Sequence, residues 1–167
     1  MKKIIFNYLF VIAIVSITLL SGCSDEGNAV DTTLIYPYKM TLTLDGDGFT
    51  NKTVTLQKTL STYSSSYDET FGQFYDVVDG DSLYFYFQYI GGQTGTSIWR
   101  QTELDAYLET SYNDYYYPLS GETIITSYGD IRGSIEGTIS GVLYHHSTNA
   151  QITISGTFNA RRIGDYD

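Results

Sequence analysis

Cysteine occurs once in the 167 residues, at Cys23, so no disulfide can form within the chain. The thiolate pairs that hold structural zinc or carry out redox exchange are excluded with it. Histidine is almost as scarce. His145 and His146 are the only two, and adjacent side chains diverge too far to share one metal easily, so they read as an exposed loop pair and not as ligands. Basic residues number 9 against 19 acidic ones, and except for Arg161-Arg162 they are scattered. A field of that sign repels phosphates, which makes nucleic acid a poor partner. A nucleophile elbow of the Gly-x-Ser-x-Gly kind is missing too, because Gly137-Thr138-Ile139-Ser140-Gly141 carries its serine one position late. No cofactor motif is present.

What the chain has instead is alternation. In the stretch 130–144 the odd positions read Ile131, Gly133, Ile135, Gly137, Ile139, Gly141, Leu143, with Arg132, Ser134, Glu136, Thr138 and Ser140 between them. This is the period of two of a strand with one polar face. The glycines at every fourth position could suggest helix packing, but the stretch holds no alanine or lysine, and each interior glycine costs a helix about 1 kcal/mol. Residues 151–162 answer the first arm, with Ile152, Ile154, Gly156, Phe158 and Ala160 on one face. The polar loop 145–150 sets the register: Leu143 opposite Ile152, Gly141 opposite Ile154, Ile139 opposite Gly156, Gly137 opposite Phe158, Ile135 opposite Ala160. Large side chains then lie against small ones, as a strongly coiled sheet requires on its concave side.

The N-terminus has a different character. Met1-Lys2-Lys3 is basic, residues 4–20 are largely apolar, and Leu20-Ser21-Gly22-Cys23 follows. This resembles the signal and lipobox of Gram-negative bacterial lipoproteins. The alternative, a transmembrane helix, is weakened by Asn7, Ser16 and Thr18 and by a length at the lower limit of about 17 residues. The resemblance implies cleavage after residue 22, a diacylglycerol and an acyl chain, such as palmitate, on Cys23, and attachment to the outer membrane through that lipid. It also implies a mature chain with 7 basic and 19 acidic residues once Lys2 and Lys3 are removed, a formal charge of -12. Residues 23–35 then form the lipidated cysteine and a polar, acidic tether, and 36–167 a single domain. Ser24-Asp25-Glu26 is similar to the acidic signal that exports some lipoproteins to the cell surface; an ordinary linker facing the periplasm fits the composition equally.

Along the domain, residues 36–44 alternate as a strand, Asp45-Gly46-Asp47-Gly48 turns the chain, and 53–60 runs back. Those four turn residues could open a calcium loop, but its third ligand and the acidic ligand at its twelfth position would fall on Phe49 and Leu56, neither of which is a ligand. Residues 61–81 form a mixed connection with a short strand around Phe71 to Val78, and 82–90 an aromatic strand. Residues 96–101 form a short strand with the only tryptophan, Trp99. Leu104, Tyr107 and Leu108 stand at helical spacing behind a Thr102 N-cap, predicting one short helical turn. Residues 111–119 break regularity, and 122–128 leads into the terminal hairpin. The expectation is an all-β domain, an antiparallel meander of seven or eight strands forming a small barrel or β-sandwich. Its outline resembles small lipocalin-like barrels in architecture, without a motif of that family.

Two acidic groups, Glu103 with Asp105 and Glu109, and Asp76 with Asp79 and Asp81, read as surface positions. No spacing places two carboxyls across a cleft, as glycoside hydrolysis needs. Tyrosine is the one unusual abundance, 17 residues, concentrated in Tyr112, Tyr115, Tyr116 and Tyr117. Its flat ring and hydroxyl suit stacking on a sugar while bonding its edge, although tyrosine also simply fills strands. These four are the expected ligand contacts. Extended backbone would set Tyr115 and Tyr117 on one side and Tyr116 on the other. The sequence therefore suggests a non-enzymatic envelope binding module for glycan or protein ligands. A structural subunit docking on a partner protein, and then a hydrolase, are the alternatives.

Overall fold

The structure, a computed structural model, describes residues 38–101, 104–111 and 114–166. The lipobox with Cys23, the tether, Thr102, Glu103, Tyr112 and Asn113 lie outside the described residues. Alternating sequence becomes ten strands: β1 Lys39–Gly46, β2 Phe49–Leu56, β3 Lys58–Ser64, β4 Glu69–Val78, β5 Asp81–Ile90, β6 Gly95–Ile98, β7 Ala106–Ser111, β8 Asp114–Tyr128, β9 Ser134–His145 and β10 Gln151–Tyr166. No helix occurs among the described residues. The protein is all-β.

Seven strands close into a ring in the order β10-β3-β4-β5-β7-β8-β9. Two long strands make the closure possible by dividing an edge between two partners. β10 gives residues 153–159 to β1 and its C-terminal part to β3, while its other edge follows β9. β8 likewise pairs with β7 near its start and with β6 further on. The β1–β2 hairpin and β6 thus flank the ring. The β3–β10 ladder is parallel, whereas the other ladders are antiparallel, so the meander closes through a pairing that adjacency in sequence does not suggest.

The terminal hairpin has the expected register: Leu143 opposite Ile152, Gly141 opposite Ile154, Ile139 opposite Gly156, Gly137 opposite Phe158 and Ile135 opposite Ala160. Phe158 reaches across Gly137 to meet Phe87 and Phe74, with ring centroids 4.9 and 5.7 Å away. Trp99 lies on the facing pair Gly121 and Gly141, where a Cβ on either would strike the indole. Its Nε1 donates to the buried Thr123 Oγ1 at 2.9 Å. Such close approach over glycine lets large rings fill the inside of a curled sheet. Between β1 and β2, Asp47 and Gly48 take φ of 43° and 87°, the mirror-image two-residue turn that Asp-Gly favours.

Four expectations change. The segment expected as a helical turn is strand β7. Ala106 and Leu108 are buried and Tyr107 faces out, a period of two, and Leu104 has φ of 51°, outside the helical region. A short apolar run is ambiguous between the two periods, and here pairing with β5 and β8 decides it. Residues 53–60 do not run as one strand, since β2 ends at Leu56 and β3 begins at Lys58. The irregular stretch around Pro118 is continuous β8. Its proline sits at a bulge, between the part of β8 paired with β7 and the part paired with β6, a position where a missing N–H is tolerated. Asp105, read as a surface residue, is 2% exposed. The Arg100 guanidinium meets both its oxygens, at 2.9 and 3.0 Å, and the Arg100 backbone N–H donates to it at 2.6 Å.

Candidate functional site

Strand alternation sorts the tyrosines before any ligand is considered. On β8, Tyr115 and Tyr117 point outward and remain half-buried, while Tyr116 points into the core and is 4% exposed. Tyr116 is therefore corrected from a surface contact to a core residue. Its hydroxyl donates to Asp47 Oδ2 at 2.8 Å, and burial together with that carboxylate raises its pKa. Tyr112, named with them, lies outside the described residues.

Tyr115 and Tyr117 present parallel rings, 4° apart in plane and 6.3 Å between centroids. Neighbouring strands extend them in both directions. On β7, Tyr107 meets Tyr115 at 6.4 Å, and on β5 Tyr86 and Tyr84 meet Tyr107 at 5.2 and 5.6 Å. Phe71 of β4 continues the row beyond Tyr86 at 6.3 Å. On the other side Tyr144 of β9 stands 6.1 Å from Tyr117. These rings form a continuous aromatic band across the outside of five adjacent strands, each element supplying every second residue to it. Tyr115 and Tyr117 belong to this one surface as extended backbone requires. Tyr84, Tyr86, Tyr107 and Tyr144 are not among the expected contacts: the alternation of Tyr84, Tyr86 and Tyr144 is visible in the sequence, but the strand character of Tyr107 and which strands lie side by side are not.

Two hydroxyls of the band, those of Tyr84 and Tyr115, have pKa values raised above the ordinary one. Burial among its neighbours, and then the hydrogen bond to Tyr107, push Tyr84 up. Tyr115 is pushed up by desolvation and then by the Glu109 carboxylate beside it. Each thus stays available both to donate and to accept.

At the edge of the band, His145 and His146 are tied down separately. His145 Nε2 contacts Asp114 Oδ1, and its Nδ1 accepts the backbone N–H groups of Ser147 and Thr148, both at 3.2 Å. That acceptor role places the imidazole proton on Nε2, directed at the carboxylate. Asp114 Oδ2 also accepts the Thr110 hydroxyl at 2.7 Å, and these two hydrogen bonds, Thr110 first, lower its pKa. His146 lies against Tyr115 and Tyr117, with centroids 6.1 and 6.5 Å away. Among the described residues no three His, Asp or Glu side chains gather as a metal site.

The fold and this surface define an all-β protein with a closed seven-stranded ring and an aromatic outer face. Comparison with protein-family models, with curated proteins and with solved structures finds no match. No helix among the described residues is long and apolar enough to cross a membrane.

Proposed function

We propose that this chain is an outer-membrane lipoprotein, anchored through Cys23, whose aromatic outer face binds glycan without catalysing a reaction on it. The observation that carries the binding assignment is the unbroken row from Phe71 through Tyr86, Tyr107, Tyr115 and Tyr117 to Tyr144. Half-buried tyrosines offer a fixed apolar face at little cost in side-chain entropy and keep a hydroxyl at the rim, the combination that suits a sugar ring with its alternating C–H faces and hydroxyl edge. The Glu109 carboxylate adds an acceptor beside Tyr115.

The anchor rests on Leu20-Ser21-Gly22-Cys23. Cys23→Ala is expected to leave an uncleaved precursor that takes up no labelled palmitate, and equal labelling of variant and wild type would remove the assignment. The binding assignment is tested on a glycan array probed with the detergent-extracted full-length protein. Signal on a defined group of glycans, lost in the Tyr115→Ala/Tyr117→Ala double variant, is expected. An array without signal rejects glycan binding and leaves a partner protein as the occupant of the band.

A further inference from the structure

Strand directions assign each turn to one of two ends of the ring. β1 begins at Lys39, opposite Asn159 of β10, and β9 begins close by, with Ile135 opposite Ala160. The β8–β9 turn at 129–133, the β3–β4 turn at 65–68, the C-terminal end of β5 and the last residues of β10 therefore lie at the end where the chain enters the domain. Hydrogen bonds hold these pieces together: Arg132 N–H to the Arg162 carbonyl at 2.7 Å, Gly91 N–H to the Asp68 carbonyl at 2.7 Å, and Arg162 Nη1 to the Gly129 carbonyl at 2.9 Å. The Arg162 guanidinium also covers the Tyr128 ring, 4.9 Å from its centroid.

Two features set this end apart. Tyr67, Ile90, Ile131 and Ile163 all expose half or more of their surface here, at 71, 52, 51 and 51%. Leu104, on the approach to β7 beside the end of β5, joins them at 48%, while Tyr75, Val77 and Ile98 lie on β4 and β6. Charge is divided unequally as well. At this end Lys39, Arg132, Arg161 and Arg162 stand against Asp68, Glu69, Asp130, Glu136 and Asp165, whereas the rest of the described chain carries three basic residues against nine acidic ones. The one near-neutral part of an acidic domain is thus also its apolar tip.

We infer that this end rests on the phospholipid surface, with Tyr67, Ile90, Ile131 and Ile163 at the headgroup boundary and the acidic remainder turned away. The inference rests on the lipoprotein reading above, which supplies the membrane, and the described chain starts at this end, with Tyr38 leading into β1. A tyrosine and aliphatic side chains beside basic residues suit the interface between headgroups and acyl chains, while the anionic body is repelled by any anionic surface. In that pose Tyr115, Tyr117 and Tyr144, towards the opposite end of their strands, are presented away from the membrane.

The test uses the lipidated full-length protein in phosphatidylcholine vesicles containing spin-labelled lipid. Lipidation blocks Cys23, so Ile131→Cys and Tyr67→Cys each supply a unique thiol for an environment-sensitive dye, and Thr148→Cys in the β9–β10 loop marks the opposite end. The expected result is a blue shift and strong quenching at 131 and 67, with neither at 148. Equal quenching at all three positions, or stronger quenching at 148, in protein that floats with the vesicles would overturn the orientation alone. If instead the unsubstituted protein takes up dye at Cys23 and fails to float, the anchor itself is wrong and the orientation falls with it.

Discussion

The Tyr116 hydroxyl donates to the Asp47 carboxylate at 2.8 Å across 69 positions of sequence, tying β8 in the ring to the turn of the flanking β1–β2 hairpin. Tyr116→Phe keeps the buried ring and removes only this bond. A hydrogen bond to a charged acceptor is worth about 1.5 to 3 kcal/mol when buried, less where water reaches the carboxylate, so a loss of about 1 kcal/mol is expected in chemical denaturation. Ligand capture should be unchanged, because the ring lies inside; reduced capture at unchanged stability would place Tyr116 in the binding surface after all.

The hairpin register is tested by a pair of substitutions on adjacent residues. A Cβ at Gly137 would meet the Ile124 carbonyl oxygen and lie 2.7 Å from Phe158 Cζ. Gly137→Val is therefore expected to cost at least the 1 to 3 kcal/mol typical of overpacking, roughly, whereas Thr138→Val on the outer face should stay within about 0.5 kcal/mol. Thermal melts compare the two directly, and equal melting would contradict the packing of Phe158 over β9.

Asp114 predicts a pH dependence. Its folded pKa lies below the ordinary carboxylate value because Thr110 and His145 hydrogen-bond the ionised form. A lowered folded pKa contributes stability above the unfolded value, and that contribution is lost as pH falls through the folded one. Asp114→Asn should therefore lower the melting temperature at neutral pH, with the gap closing as pH drops below about 4. A gap that is constant from neutral to acidic pH would mean that the variant acts through packing and not through charge.

The binding face predicts the reverse of Tyr116. Tyr115→Ala and Tyr117→Ala each remove an outward ring whose stacking on a ligand is worth about 0.5 to 1.5 kcal/mol, so each should weaken glycan capture by about 2- to 10-fold. Melting should move little, since both side chains are half-buried on the outer face. A large drop in stability with unchanged capture would make the band a packing feature only.

Period-two alternation and small-against-large complementarity are local properties, and with them the sequence alone determined the all-β class, the Asp47-Gly48 turn, the register of β9 on β10 and the separation of Tyr115 and Tyr117 from Tyr116. Each follows from the fixed geometry of extended backbone acting on neighbours or on strands joined by a short loop. What only the tertiary structure decided involves partners distant in sequence. The parallel pairing of β3 with the end of β10 closes the ring between residues about a hundred positions apart. The β5 and β8 edges make residues 106–111 a strand in spite of their helical spacing. Burial of Asp105 depends on Arg100 folding back over it, and the aromatic band exists because β4, β5, β7, β8 and β9 lie side by side. A one-dimensional pattern shows which face a side chain takes; it cannot show which other faces that side chain will meet, because long-range pairing is chosen by the free energy of the whole closed sheet.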